Sequence, residues 1–170
     1  MVYRHIAVMR EEVLAYLNCS AGKVFVDGTL GGCGHAGAIL EGILPGGLLI
    51  GIDQDPDAIR HAEMMFNDCK PNVRLFRDNF ANLPAILSKL SITGVDGIFL
   101  DLGLSLHQLE ASGRGFSFRR EEPLDMRMNT ESERSAGDLI HRADQTELAR
   151  IFRVYGEERW AGRIAGAIVK

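Results

Sequence analysis

The chain has 170 residues, 46% of them hydrophobic and 25% charged, with a net charge of −4. That length fits one domain, or a domain and part of a second, with enough apolar material for a core. The acidic balance excludes a general nucleic-acid coat protein but not an enzyme that meets RNA through a local patch. Cys19, Cys33 and Cys69 are widely spaced with no C-x-x-C. This excludes a disulfide framework or zinc cluster and points to a reducing, cytoplasmic setting. The first residues lack a signal-peptide run, and no stretch approaches 18 consecutive apolar residues, so no membrane span is expected.

In chain order, Val8 to Leu17 suits a helix, with Val13, Leu14 and Leu17 apolar around charged positions. Lys23 to Asp27 reads as a first buried strand. It breaks into the glycine-rich run Gly28-Thr29-Leu30-Gly31-Gly32-Cys33-Gly34, and a helix follows with Ala36, Ile39, Leu40 and Ile43 inward. Glycines there allow tight turning and close approach to a ligand, and the helix N-terminus offers free N–H groups. After the turn Pro45-Gly46-Gly47, Leu48 to Asp53 makes a second apolar strand ending in an acid. Asp55 caps the next helix, Pro56 fits its first turn, and Ala58, Ile59, Ala62 and Met65 form its inner face. Asn72 to Phe76 is a third strand, Asn82 to Leu90 a helix, and Val95 to Leu100 a fourth strand leading into Asp101.

Strands alternating with helices predict an α/β fold, a parallel doubly wound sheet of Rossmann-like type with strand order 3-2-1-4. Ligands of such sheets bind beyond the carboxyl ends of the strands. The glycine loop, Asp53, the 78–80 turn and the 101–108 segment all fall on that rim. Asp53 lies 22 residues beyond Gly31, near the spacing of a ribose-binding acid, which suits NAD and S-adenosylmethionine equally. Asp101 favours the second, because a carboxylate there positions an amine for methyl transfer, whereas hydride transfer asks for a Tyr, Lys or His that the pattern does not assign. After Gln108 the chain mixes glycine, aromatic and arginine residues in an irregular loop, then reads as helices over Ser135–His141, Gln145–Tyr155 and Glu157–Lys170.

DGTLGGCGH (27–35), GIDQDPDAI (51–59), DNF (78–80), VDGIFLDLGLSLHQL (95–109), RGFSF (114–118), PLDMRM (123–128) and YGEERWAGRIAGAIV (155–169) run in order along the chain. With these motifs it resembles the bacterial ribosomal-RNA cytosine methyltransferases of the RsmH/MraW type, over their N-terminal half. The resemblance implies a class I methyltransferase core over residues 1–110. It also implies the start of an inserted helical, substrate-recognising domain over 111–170. It implies transfer of a methyl group from S-adenosylmethionine to the exocyclic 4-amino group of a cytidine, in small-subunit rRNA or the assembled subunit. Cys33, Gly34, His35, Asp53, Phe80, Asp101 and Gln108 fall on its cofactor positions. Three places depart from the family pattern. Cys33 replaces a usual glycine, Ala7 a usual proline, and Leu106-His107 a small, turn-forming pair.

Asp53 is the expected ribose ligand, Phe80 an adenine-packing ring, and Asp78 an acceptor for the adenine amino group. Asp101 is the expected catalytic residue. The cytosine amine is a poor nucleophile, and acceptors for its N–H groups would localise its lone pair and aim it at the methyl group. Asp101-Leu102-Gly103-Leu104 lacks the Pro-Pro-aromatic sequence common in amino methyltransferases, leaving Phe116 and Phe118 as candidates for base stacking. Arg114, Arg119, Arg120 and Arg127 are candidates for phosphate contact. No cysteine follows a proline, which sets aside methylation at a ring carbon. His5, His61, His107 and His141 lack metal-ligand spacing. A missing C-terminal half or a second copy is expected to cover the fourth strand. The alternatives are a cofactor-binding fragment without activity of its own and an NAD-binding domain.

Overall fold

The computed structural model describes residues 7–170; the expectation for His5 lies outside them. Among the described residues the chain divides into two units, one of residues 1–111 with 128–130 and one of residues 112–127 with 131–170.

The first unit is a four-stranded parallel sheet. Its strands are β1 (Val24–Asp27), β2 (Leu48–Asp53), β3 (Val73–Arg77) and β4 (Gly97–Phe99), in the order β3-β2-β1-β4. The helices are α1 (Arg10–Leu17), α2 (Gly34–Ile43), α3 (Pro56–Met65), α4 (Leu83–Lys89) and α5 (Leu106–Glu110). Alternate strand residues face opposite layers, as the two-residue strand period requires. Phe25 and Leu49 pack with Ile39, Ile43, Ile59 and Ala62 of α2 and α3, and with Leu14 and Leu17 of α1. Val26, Ile50 and Ile52 pack with Ile86, Leu83 and Leu87 of α4. Both faces are covered, which is why β2 reads as an unbroken apolar run.

Local chemistry fixes the ends. Asp55 accepts from the N–H of Asp57 at 3.0 Å, with Pro56 in the first turn of α3. Ser105 and Gln108 form a reciprocal capping box on α5, so the turn after Asp101 closes into a short helix that periodicity did not predict.

β4 is three residues rather than the six predicted. Before it, Asp96 diverts its carboxylate to the N–H of Val24 and to Lys23, at 2.8 Å each. With the backbone bond from the Asp96 N–H to the Val24 carbonyl at 2.7 Å, this clamps the entry of β4 to β1. Met65, predicted to face inward, is 50% exposed, because the chain leaves α3 at Phe66 and that ring takes the inner place.

The second unit holds an irregular segment and three helices, α6 (Ala136–Arg142), α7 (Gln145–Val154) and α8 (Ala161–Ile168). Ser135 and Asp138 form a capping box on α6, and Asp144 accepts from the N–H of Glu147 to start α7. α7 and α8 pack together with Leu148, Ala161 and Ala165 buried. α8 starts four residues later than its pattern predicts. Glu157 is left-handed (φ 50°), and the Glu158 carboxylate takes the N–H of Trp160, so 157–160 is a turn. No described helix is long and apolar enough to cross a membrane.

Candidate functional site: a cleft over the carboxyl ends of β1, β2 and β4

The loop after β1 is stitched onto both neighbouring strands. Gly28 donates its N–H to the carbonyl of Phe99 at 3.0 Å, and Leu30 donates to that of Ile52 at 3.4 Å. Gly31 donates to Oδ2 of Asp53 at 3.0 Å. The loop therefore straddles the place where the strand order reverses about β1, the ligand position of open α/β sheets. A cleft of ≈180 Å³ lies there, lined along the loop and by Asp53, Phe80 and Asp101–Ser105 among others. Glycine at 28 is a spatial need: a Cβ would stand 2.5 Å from Leu100 and 3.1 Å from Cβ of Phe80.

Six of the seven predicted cofactor positions, Gly34, His35, Asp53, Phe80, Asp101 and Gln108, line this cleft. The seventh, Cys33, is not among the lining residues. Its thiol is fully buried in the core beside Phe25, Leu30 and Ile39, and its backbone turns in the left-handed region at φ 62°. Burial, with Asp27 and Asp53 nearby, pushes that thiol up to about 12. Cys33 therefore acts here as core and hinge, not as a nucleophile. Asp78 is also absent from the lining. Its Oδ1 accepts from the N–H of Asn79 and from Asn82, both at 2.7 Å, which lowers its pKa.

Asp53 accepts one N–H on each oxygen, from Gly31 and from Asp55 at 2.9 Å. A carboxylate oxygen has two acceptor sites, so one on each remains for a vicinal diol. Burial raises the Asp53 pKa against these bonds. Gln108 is a structural hub, giving Nε2–H to Asp55 at 2.9 Å while Oε1 accepts from the N–H of Ser105 at 3.0 Å. His35 has Nε2 2.8 Å from the carbonyl of Val8, and its ring lies against Phe99. Its other nitrogen, Nδ1, is 3.8 Å from Oδ2 of Asp101. Asp101 leaves its side chain 46% exposed, while its N–H donates to the Thr29 hydroxyl at 2.7 Å.

Sequence reasoning missed Asp27 and Thr29. Asp27 ends β1 and is 1% exposed, with Oδ1 accepting from the N–H of Thr29 at 3.0 Å. Its Oδ2 has no hydrogen-bond partner among the described residues. The signal was an acid closing an apolar run directly before a glycine loop, the same signal that singled out Asp53 on β2.

In the second unit, Arg114 is buried, donates to the carbonyl of Arg127 at 2.7 Å and lies over the ring of Phe116. Arg127 pairs with Asp125, whose carboxyl it holds down at about 2. These two arginines, candidates for phosphate contact, brace the 112–127 segment. Phe118 is fully exposed.

A parallel 3-2-1-4 sheet with a glycine loop and two acids on one rim defines a Rossmann-like nucleotide-cofactor unit, and the family match makes it a methyltransferase, a class that uses S-adenosylmethionine. The chain belongs to the MraW methylase family, whose profile it matches over residues 2–170. It is 52% identical over 170 residues to ribosomal RNA small subunit methyltransferase H of Desulfosudis oleivorans, covering all of this chain and 54% of that protein. It is 49% identical to the protein of the same name from Geobacter sulfurreducens, covering 55% of it. The chain thus spans about half the length of these relatives. Among solved structures, a putative rRNA-methylase from Clostridium thermocellum aligns at 19% identity and a TM-score of 0.46, over 61% of this chain and 58% of that one.

Proposed function

We propose that this chain carries the cofactor site and catalytic acid of a methyltransferase acting on the exocyclic 4-amino group of a cytidine in small-subunit rRNA. The observation that carries the reading is the family match over residues 2–170, joined to an acid that stands open at the end of the cleft. The relatives' name supports small-subunit rRNA as substrate.

S-adenosylmethionine supplies an activated methyl group on a sulfonium. The residues here bind and aim. Asp53 accepts from the ribose hydroxyls, and Phe80 packs on the adenine. The backbone of the 28–34 loop, including Gly34, approaches the ligand closely because glycine permits it. Asp101 accepts an N–H of the cytosine amine. This draws the nitrogen lone pair out of the ring and points it at the methyl carbon. Transfer would form the N–C bond as the S–CH3 bond of the sulfonium breaks, and the Asp101 carboxylate would take the proton that the amine then loses. The backbone of Asp101 is fixed by Thr29, which anchors the point from which its carboxylate reaches into the cleft.

Phe118 and Arg119, exposed in the 112–127 segment, are proposed to meet RNA. The free edge of β4 is proposed to pair with the remainder of a longer chain or with a second copy. The 54% coverage of the relatives keeps a second reading in play, a cofactor-binding fragment inactive alone. Labelled S-adenosylmethionine incubated with the chain and small-subunit RNA or particles, followed by nucleoside analysis, tests the function. N4-methylcytidine is expected. Cofactor binding without transfer supports the second reading, and binding of NAD in place of S-adenosylmethionine overturns both.

A further inference from the structure

Asp27 is a buried carboxyl that the chemistry above does not use. It sits at the carboxyl end of β1, in register with Gly51 of β2 and Phe99 of β4, directly beneath the glycine loop. One oxygen is satisfied by the N–H of Thr29 and the other by no group among the described residues. An ionised carboxylate with an orphaned oxygen is far costlier to bury than a neutral acid. The charges that act on it most, Asp53 at the end of β2 and Asp101 after β4, are both negative, and both line the cleft. The other titratable groups around it are the Cys33 thiol, which feels the Asp27 charge, and His35, which faces Asp101. Burial first, then these carboxylates, push the Asp27 pKa up to about 7, against the bonds from Thr29.

Thr29 connects this acid to the reactive end of the cleft. Its N–H donates to the Asp27 carboxyl at 3.0 Å, and its hydroxyl accepts the N–H of Asp101 at 2.7 Å. Residues 28 and 29 themselves line the cleft.

We propose that Asp27 holds an exchangeable proton that it releases when a cationic ligand enters the cleft, and that Thr29 couples this change of charge to Asp101. The proposal rests on the reading of the cleft as the S-adenosylmethionine site, since that cofactor carries positive charge on its sulfonium and amine. A positive group near three converging carboxyls favours the ionised form of the one that was neutral. The O–H bond of Asp27 breaks, the proton passes to the buffer, and the ligand's charge is compensated. Entry of the cofactor is then easier at higher pH, by up to about tenfold in affinity per pH unit below the free-state midpoint.

Calorimetry of S-adenosylmethionine binding in buffers of different ionisation enthalpy reads the protons released. The ligand's own α-amine, ordinarily near pKa 8, titrates alike for every variant. The wild type minus Asp27→Asn difference therefore isolates Asp27. A release near pH 7 that vanishes in Asp27→Asn is expected; equal release from both proteins overturns the proposal. Carboxyl ¹³C spectra of the wild type need no variant. The Asp27 signal should titrate far above the other carboxylates and shift to a lower midpoint with cofactor bound. An ordinary carboxylate midpoint, or one that cofactor leaves unmoved, overturns the proposal. The amide signal of Asp101 should follow that titration in wild type and lose it in Thr29→Val; persistence in Thr29→Val removes the coupling. Failure to bind S-adenosylmethionine at any pH would sink the reading of the cleft instead.

Discussion

The backbone N–H of Gly31 and the carboxylate of Asp53 meet at 3.0 Å, so an acid that lines the cleft also holds down the glycine loop that forms its other wall. The other Asp53 oxygen anchors the N–H of Asp55, the cap residue of α3. One side chain thus sets the relative position of the β1 loop, the end of β2 and the start of α3.

Asp53→Ala removes the expected diol acceptor and releases the loop together. A charge-assisted hydrogen bond is worth about 1.5–3 kcal/mol, so S-adenosylmethionine affinity should fall about tenfold or more. Calorimetry on the folded variant reads this directly, and unchanged affinity would remove Asp53 from the site.

Asp101→Asn should separate binding from chemistry. The backbone bond from residue 101 to Thr29 survives the change, so the turn and cofactor affinity should hold. The amide presents one acceptor oxygen and no base, so methyl transfer to small-subunit RNA should drop by about 10²-fold or more. Near-wild-type turnover with normal cofactor binding would refute the assigned role.

The buried acid leaves a mark on stability. Its folded pKa of about 7 lies above the ordinary 3.8. Between those values the folded chain holds a proton that the unfolded chain has lost. This contribution is whole below the ordinary value, declines as pH rises through the window, and is gone above the folded value. Urea unfolding of wild type and Asp27→Asn from pH 4 to pH 8 should give a difference curve with that slope. A flat difference would show that Asp27 is ionised throughout.

β4 is short, paired on one side to β1, and followed by apolar residues; Ile98 is 50% and Leu100 40% exposed. An apolar edge of this kind invites strand addition. Sedimentation should show concentration-dependent association of the chain, reduced by Ile98→Lys. A monomer at all concentrations would show the edge to be protected.

β2 was legible to the residue, Leu48 to Asp53, because a glycine turn and an acid bracket the five non-polar positions Leu48 to Ile52, which are covered on both faces. α3 was equally plain, since Asp55-Pro56 is a start signal written in side-chain chemistry. β4 was overread, because strand length at an edge is set by the partner's ladder, and at Asp96 the N–H of Val24 goes to a carboxylate while only the Asp96 N–H makes a backbone bond. Six cleft residues came from motif matching, but the motif could not say which atoms they use. Gln108 spends its amide on Asp55, and His35 gives one nitrogen to Val8. Asp27 escaped because a carboxyl's burial depends on what closes over it, here a loop stitched to both neighbours.

The seclusion of Cys33 gives the protein an internal timer. Cys19 and Cys69 are partly exposed, so a maleimide should label them without disturbing the sheet. Cys33 sits with zero exposure at the turn from loop to α2, and its thiol holds its proton far above neutral pH. It becomes alkylable only while the loop lifts off Phe25 and Ile39. The rate at which the third thiol disappears therefore counts loop openings, and a ligand that seats the loop should slow the count.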